Sequence, residues 1–219
     1  MNTLISPGSV RVFPLSKLLL LPQTYQHLNV FESRYLKLVK DSLESDQKIC
    51  MAVIEAGHEV EYLGNPPLYK DACIGHIEKC VTNQDGTYYV TLKGIQEVCL
   101  QEEISGGSFY RSFTCQPKKF RLPHREPTSN ALRAQLLSFL DFLYERAGEN
   151  EARRWVNSIR DYELMRLVHQ LCVAMPLRLD LQMQLAASED LIGRGYLLLD
   201  LVSEIFPDFG NLELKNLIH

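Results

Sequence analysis

Apolar and polar positions change their period once along the chain, near residue 120. Before that point, short runs rich in β-branched and aromatic residues are separated by turn-forming residues. Segments 10–13, 49–54, 72–81, 87–93, 97–104 and 109–116 are predicted as strands on this pattern. In segment 87–93, Tyr88, Val90 and Leu92 fall on one face and Thr87, Tyr89 and Thr91 on the other, the pattern of a sheet with one dry side. "NQDG" at 83–86 and "SGGS" at 105–108 supply turn residues between neighbours and predict at least two antiparallel hairpins.

Beyond residue 120 the spacing becomes helical. Leu132, Leu136, Leu140 and Leu143 form one stripe, with Ser129 as the expected N-cap and Gly148 as the terminator. Leu164, Leu167 or Val168, Leu171 and Met175 form a second stripe, ended by Pro176. A third helix is expected from a Ser188 cap to about Phe206, acidic in its first turn at Glu189 and Asp190. Leu191, Gly195, Leu198, Val202 and Ile205 are its expected core face. Strands first and helices afterwards predict an α+β chain: an antiparallel β lobe over 1–120 and a helical bundle over 121–219.

The composition narrows the class. With 219 residues, 46% of them apolar, the chain is long enough for a well-packed core. Asp plus Glu number 27 against 23 Lys plus Arg, a net charge of −4, which disfavours a generic nucleic-acid surface. The densest basic cluster, "KKFRLPHR" at 118–125, reads as a solvated linker. No run approaches the roughly 18 apolar residues of a membrane-spanning helix, and no secretory signal pattern opens the chain. The expected location is therefore cytoplasmic, with Cys50, Cys73, Cys80, Cys99, Cys115 and Cys172 reduced and behaving as small hydrophobes.

Candidate chemistry is sparse. Cys73, His76 and Cys80 lie close in sequence, but on a regular strand Cys73 and Cys80 are expected on opposite faces and about 23 Å apart, too far to share an ion. Phosphate-binding, zinc-protease, nucleophile-elbow and dinucleotide motifs do not occur, and neither a metal nor a cofactor is expected. An unrecognised Cys or His hydrolase, with a spatial dyad such as Cys50 and His58, is a further reading left open. Gly193 and Gly195 flank Arg194 inside an expected helix, where each glycine costs about 1 kcal/mol relative to alanine. Close approach of a neighbouring element explains such a pair, and Arg194 is placed to reach a carboxylate across a seam between lobes.

The densest local signal is "NVFESRY" at 29–35, where an extended apolar segment turns into a helix carrying Tyr35, Val39 and Leu43 at a spacing of four. Phe31 and Tyr35 are expected to bury one side of this corner, Ser33 to cap the helix, and Arg34 to pair with Glu32 or with a carboxylate of the helical lobe. "VFPL" at 12–15, "LLLLP" at 18–22 and "HLNVFESRYLKLV" at 27–39 together resemble the N-terminal substrate-binding domain of the Lon protease family. Phe31, Glu32, Arg34 and Tyr35 match its pattern. Ser33 and His27 stand where prolines are usual, and Glu97 stands where arginine is usual. Gly75 in "CIGHIEKC", Gly94 in "VTLKGIQEV", the strand in "SFYRSFTC" and Arg194 in "LIGRGYLLLDLV" extend the likeness over about 10–206.

The resemblance implies a bent, PUA-like pseudo-barrel followed by a helical bundle, without the ATPase and Ser-Lys protease modules of the Lon machine. It further implies a non-catalytic module that binds exposed or unfolded polypeptide as an adaptor or holdase, with a protease or chaperone complex as a further partner. Expected binding groups are rim tyrosines Tyr25, Tyr69 and Tyr110, while Phe31, Glu32, Arg34, Tyr35 and Arg194 serve as a joint between lobes or as ligand contacts. RNA binding, known for other PUA-like barrels, is the alternative reading, against which the acidic balance weighs.

Overall fold

The computed structural model describes residues 8–58, 64–104, 109–123, 126–148 and 151–209; the "SGGS" turn and residues 124–125 of the basic cluster lie outside them. Contacts divide the chain into two units, Met1–Lys119 and Phe120–His219.

The first unit contains β1 (Ser9–Leu15), β2 (Tyr25–Val30), α1 (Ser33–Leu43), β3 (Lys48–Val53), β4 (Asp71–Thr82), β5 (Tyr88–Glu103) and β6 (Ser112–Pro117). The strands lie in the order β2-β5-β4-β3-β1-β6, and a further β5–β6 pairing closes β5, β4, β3, β1 and β6 into a ring, leaving β2 appended outside it. The sheet is mixed, not purely antiparallel as expected, because β1 pairs with β3 in parallel through Val12↔Cys50 and its neighbours. Helix α1 lies between these two strands in sequence and supplies the crossover that parallel pairing requires.

Alternation along the strands sorts two cores. Val12, Cys50, Ala72, Ile74, Val98, Leu100, Phe113 and Cys115 fill the ring interior. Their sequence neighbours Phe13, Ile49, Met51 and Cys73 face the other way and join Leu28, Val30, Tyr35, Leu38, Val90 and Leu92. Both faces of β3 are therefore buried, which accounts for its unbroken apolar run. Helix α1 buries Tyr35, Leu38, Val39 and Ser42. Leu43, expected on that face, is 38% exposed, because a spacing of four drifts off a stripe that repeats every 3.6 residues.

Two expected strands, 87–93 and 97–104, prove to be one. Strand β5 runs unbroken through Gly94, with register shifts against β4 at Ile74/Gly75 and Ile77/Lys79. The second shift also moves Cys80 onto the core that holds Cys73, so the two thiols share a face instead of opposing each other. Gly94 has a steric purpose: a Cβ there would stand 2.1 Å from the Leu21 carbonyl oxygen and 3.2 Å from Leu20. Across the ladder, a Cβ on Gly75 would meet Leu20 at 2.9 Å. The paired glycines let the loop carrying Leu19, Leu20 and Leu21 press onto the strands. Gln23 N–H donates to Gly94 O at 2.8 Å and Gly94 N–H to Thr24 O at 2.9 Å. Thr24 Oγ1 in turn accepts from Leu21 N–H and donates to Leu21 O.

The second unit contains α2 (Glu126–Arg146), α3 (Glu151–Ile159), α4 (Leu164–Ala174), α5 (Leu179–Ala187) and α6 (Leu191–Ile205). Helices α3 and α5 escape the stripe analysis because each is nine residues long and buries only two or three side chains. Ser129 lies inside α2 rather than capping it. The N-cap of α6 is Asp190, whose Oδ1 accepts from Gly193 N–H at 2.7 Å, while Ser188 ends α5. Ile205, expected in the core, is 40% exposed at the last turn of α6. Gly195 admits α2: a Cβ there would stand 2.5 Å from Leu132 Cδ2. Arg194 is fully buried, donating to the Ala186 and Ser188 carbonyls at 3.3 and 3.2 Å with its guanidinium over Phe120. Its Nη1 lies 2.8 Å from His169 Nε2. Arginine has no acceptor, so His169 Nε2 is unprotonated and the ring proton sits on Nδ1.

Candidate functional site

Among the described residues, strand β2 forms its ladder with β5 alone, in a register running from Tyr25↔Lys93 to Val30↔Tyr88. The bond from Gly94 N–H to Thr24 O sets the phase of that ladder. By antiparallel alternation Gln26, Leu28 and Val30 bond to β5, while Tyr25, His27 and Asn29 turn their amides and carbonyls outward. No strand among the described residues pairs with the outward edge. The side chains alternate too: Leu28 and Val30 are buried, and Tyr25, His27 and Asn29 are exposed. From Tyr25 to Phe31 the edge carries no Lys, Arg, Asp or Glu, the charges that commonly block strand addition.

Beside the last residues of β2 opens a cleft of about 290 Å³. Phe13 and Tyr35 contribute to its walls, their rings stacked with centroids 4.3 Å apart. The other walls include Leu15, Leu28 and Val30, and Leu18 and Phe31 contribute exposed apolar surface at 37% and 69%. A volume near the lower end of small-ligand pockets suits one or two side chains better than a cofactor. The cleft is thus continuous with an unfilled hydrogen-bonding edge.

The charged residues of the corner are tied to each other. Arg34 Nε donates to Glu32 Oε2 at 3.1 Å, and its guanidinium carbon lies 4.6 Å from the Tyr35 ring centroid. Glu32 itself is the α1 N-cap residue; its side chain makes no cap bond, and Ser33, the expected cap, is the first residue of the helix. Tyr35 is buried as expected, but Phe31 is exposed instead of covering the corner. His27, also in the lining, has Nδ1 3.1 Å from Thr91 Oγ1 and stacks on Tyr89 at 5.9 Å.

Of the residues singled out from sequence, Phe31, Glu32 and Tyr35 line the cleft, Arg34 braces Glu32, and Tyr25 lies on the same strand with Lys93 Nζ 5.8 Å from its ring centroid. Tyr69 and Tyr110 do not line it. Tyr69 N–H donates to Val53 O, and the Tyr110 hydroxyl donates to Asp41 Oδ2 at 2.9 Å. Arg194 belongs to the other unit. Leu18, His27 and Asn29 are cleft residues that the sequence analysis did not assign to binding. The alternation Tyr25, His27, Asn29 against Gln26, Leu28, Val30 was the signal for an exposed edge strand.

Other candidate chemistry recedes. Among the described residues no His, Cys, Asp and Glu group is arranged to hold a metal. Burial in the ring pushes the Cys50 thiol far above its ordinary value, the opposite of an activated nucleophile. In the basic cluster Lys118 Nζ donates to Asp71 at 2.6 Å, and Arg121 stands within 3.7 Å of Glu189 and 3.6 Å of Asp190. No helix among the described residues is long and apolar enough to cross a membrane.

Solved structures share the architecture. A Lon N-terminal domain protein from Xanthomonas campestris aligns with a TM-score of 0.58 at 21% identity, covering 88% of this chain and 98% of that one. The N-terminal domain of Mycobacterium avium complex Lon protease aligns with a TM-score of 0.65 at 15% identity, covering 90% and 98%. None of the curated proteins matches the chain in sequence. The sequence profile of the ATP-dependent protease La (LON) substrate-binding domain spans residues 9–204, including the ring of strands, the β2 edge and helices α2 to α5. The chain therefore belongs to the LON substrate-binding domain family.

Proposed function

We propose that the chain binds extended segments of other proteins by adding them as a strand to the outer edge of β2, with one apolar side chain of the guest seated in the adjoining cleft. The observation carrying this reading is the continuity of an uncharged, outward-facing strand edge with an apolar cleft. Main-chain bonds to Tyr25, His27 and Asn29 supply affinity for any extended backbone, and the cleft supplies selectivity. Such a site holds its guest without breaking a bond, as an adaptor or holdase does. The substrate-binding role of the family supports this reading.

Asn29→Pro tests it by removing an outward N–H while sparing the ladder to β5. Proline is tolerated on the solvent side of an edge strand. Affinity for labelled, extended apolar peptides, read by fluorescence anisotropy, is expected to fall at least tenfold with a stability change below about 1 kcal/mol. Leu28→Pro, which removes a ladder bond instead, is expected to cost about 3 kcal/mol. Wild-type affinity in a folded Asn29→Pro variant rules out strand addition at this edge.

A further inference from the structure

Building on strand addition at β2, we propose that Glu32 makes the cleft select against carboxylates. The guest is then an internal stretch of extended polypeptide, uncharged at its anchor residue, and not a chain end with a free carboxylate or a segment anchored by Asp or Glu.

Of the walls, Phe13, Leu15, Leu18, Leu28 and Val30 cannot solvate an anion, and His27 and Asn29, on the β2 side, are polar. The charged side chain in the lining is the carboxylate of Glu32. Its partner Arg34 does not line the cleft, since its guanidinium lies against the Tyr35 ring. An anionic anchor therefore loses its water and meets a like charge before it meets the guanidinium. The N-terminus of α1 would otherwise welcome a carboxylate, and Glu32, its N-cap residue, already brings negative charge there. The β2 edge carries no Lys or Arg from Tyr25 to Phe31 to supply a countercharge. A neutral apolar anchor avoids all of these penalties and gains contact with Phe31 and Leu18.

The test uses the full chain and a fluorescein-labelled heptapeptide of alternating Thr and Leu. It is prepared as the C-terminal amide, as the free acid, and as an amide with one Leu replaced by Asp. At low salt, anisotropy is expected to show the amide binding about tenfold more tightly than either anionic form. The gap should narrow in 1 M NaCl, because screening weakens like-charge repulsion. Glu32→Gln keeps an acceptor for Arg34 and should bring the free acid within about threefold of the amide. Equal binding of acid and amide by the wild type overturns the selection rule while leaving strand addition standing. Failure of every peptide to bind overturns strand addition itself. A discrimination that survives unchanged in Glu32→Gln overturns the assignment to Glu32.

Discussion

Gly94→Ala probes how the binding edge is held in place. The added methyl would stand 2.1 Å from the Leu21 carbonyl oxygen and 2.7 Å from its carbon, well inside van der Waals contact. Backbone cannot rotate out of the way as a side-chain tip can, so either β5 or the loop has to move by about an ångström. Movement there disturbs four joined bonds: Gln23 N–H to Gly94 O, Gly94 N–H to Thr24 O, and the two that link Thr24 Oγ1 to Leu21. It also loosens Leu20 and Leu21, now 2% and 1% exposed. Overpacking of about 1–3 kcal/mol with the loss of two bonds at about 1 kcal/mol each puts the cost near 3–5 kcal/mol. That is a large part of a typical folding free energy of about 5–15 kcal/mol.

Gly75→Ala is the internal control, because its methyl would have Leu92 Cβ and Lys93 O at ordinary contact of 3.4 and 3.5 Å and would stand too close only to the side-chain tip of Leu20, Cδ2 at 2.9 Å. Rotation of that side chain, together with the roughly 0.5–1 kcal/mol that alanine gains over glycine in a strand, should hold the cost below about 1.5 kcal/mol. Urea unfolding followed by far-ultraviolet circular dichroism measures both. The chain's one tryptophan, Trp155, lies in the helical unit and is the wrong reporter for the β unit. A Gly94→Ala variant within 1 kcal/mol of wild type, or a Gly75→Ala variant that loses more, refutes the close-approach argument.

Two further outcomes are expected. Arg194→Lys withdraws the planar donor set from the Ala186 and Ser188 carbonyls and from His169 Nε2, and should cost about 2–4 kcal/mol in Trp155-monitored unfolding of the helical unit; a change below 0.5 kcal/mol counts against it. Stability should also fall on the alkaline side: burial raises the thiol pKa of Cys50 and of Cys73, the latter raised further by the Glu97 charge. Above the unfolded thiol value of about 8.5, the unfolded chain releases protons that the native one keeps, so each thiol lowers stability by about 1.4 kcal/mol per pH unit. Urea midpoints from pH 8 to 10 measure the slope, and a Cys50→Ala, Cys73→Ala double variant with the same slope would falsify this account.

The corner residues illustrate how far the sequence reaches. Phe31, Glu32, Arg34 and Tyr35 stand out by motif, and the Arg34–Glu32 pair forms as expected. Which aromatic is buried was not legible: Tyr35 stacks on Phe13, twenty-two positions earlier, whereas Phe31 points to solvent. The tyrosines selected for their exposure divide likewise, because Tyr110 is tied to Asp41 from a distant helix.

Local pattern by itself determined the elements with long, strong periodicity, such as β3, β4 and the helices α2, α4 and α6, along with the change from strands to helices. Tertiary contacts decided the rest. The parallel β1–β3 pair, the passage of β5 through Gly94, the closure of β5 on β6 and the β2 edge left without a strand among the described residues all depend on residues far apart in the chain. Periodicity records which face of a segment avoids water, a property of neighbouring residues. The neighbour that covers that face, or leaves it open for another chain, is set only when distant segments meet.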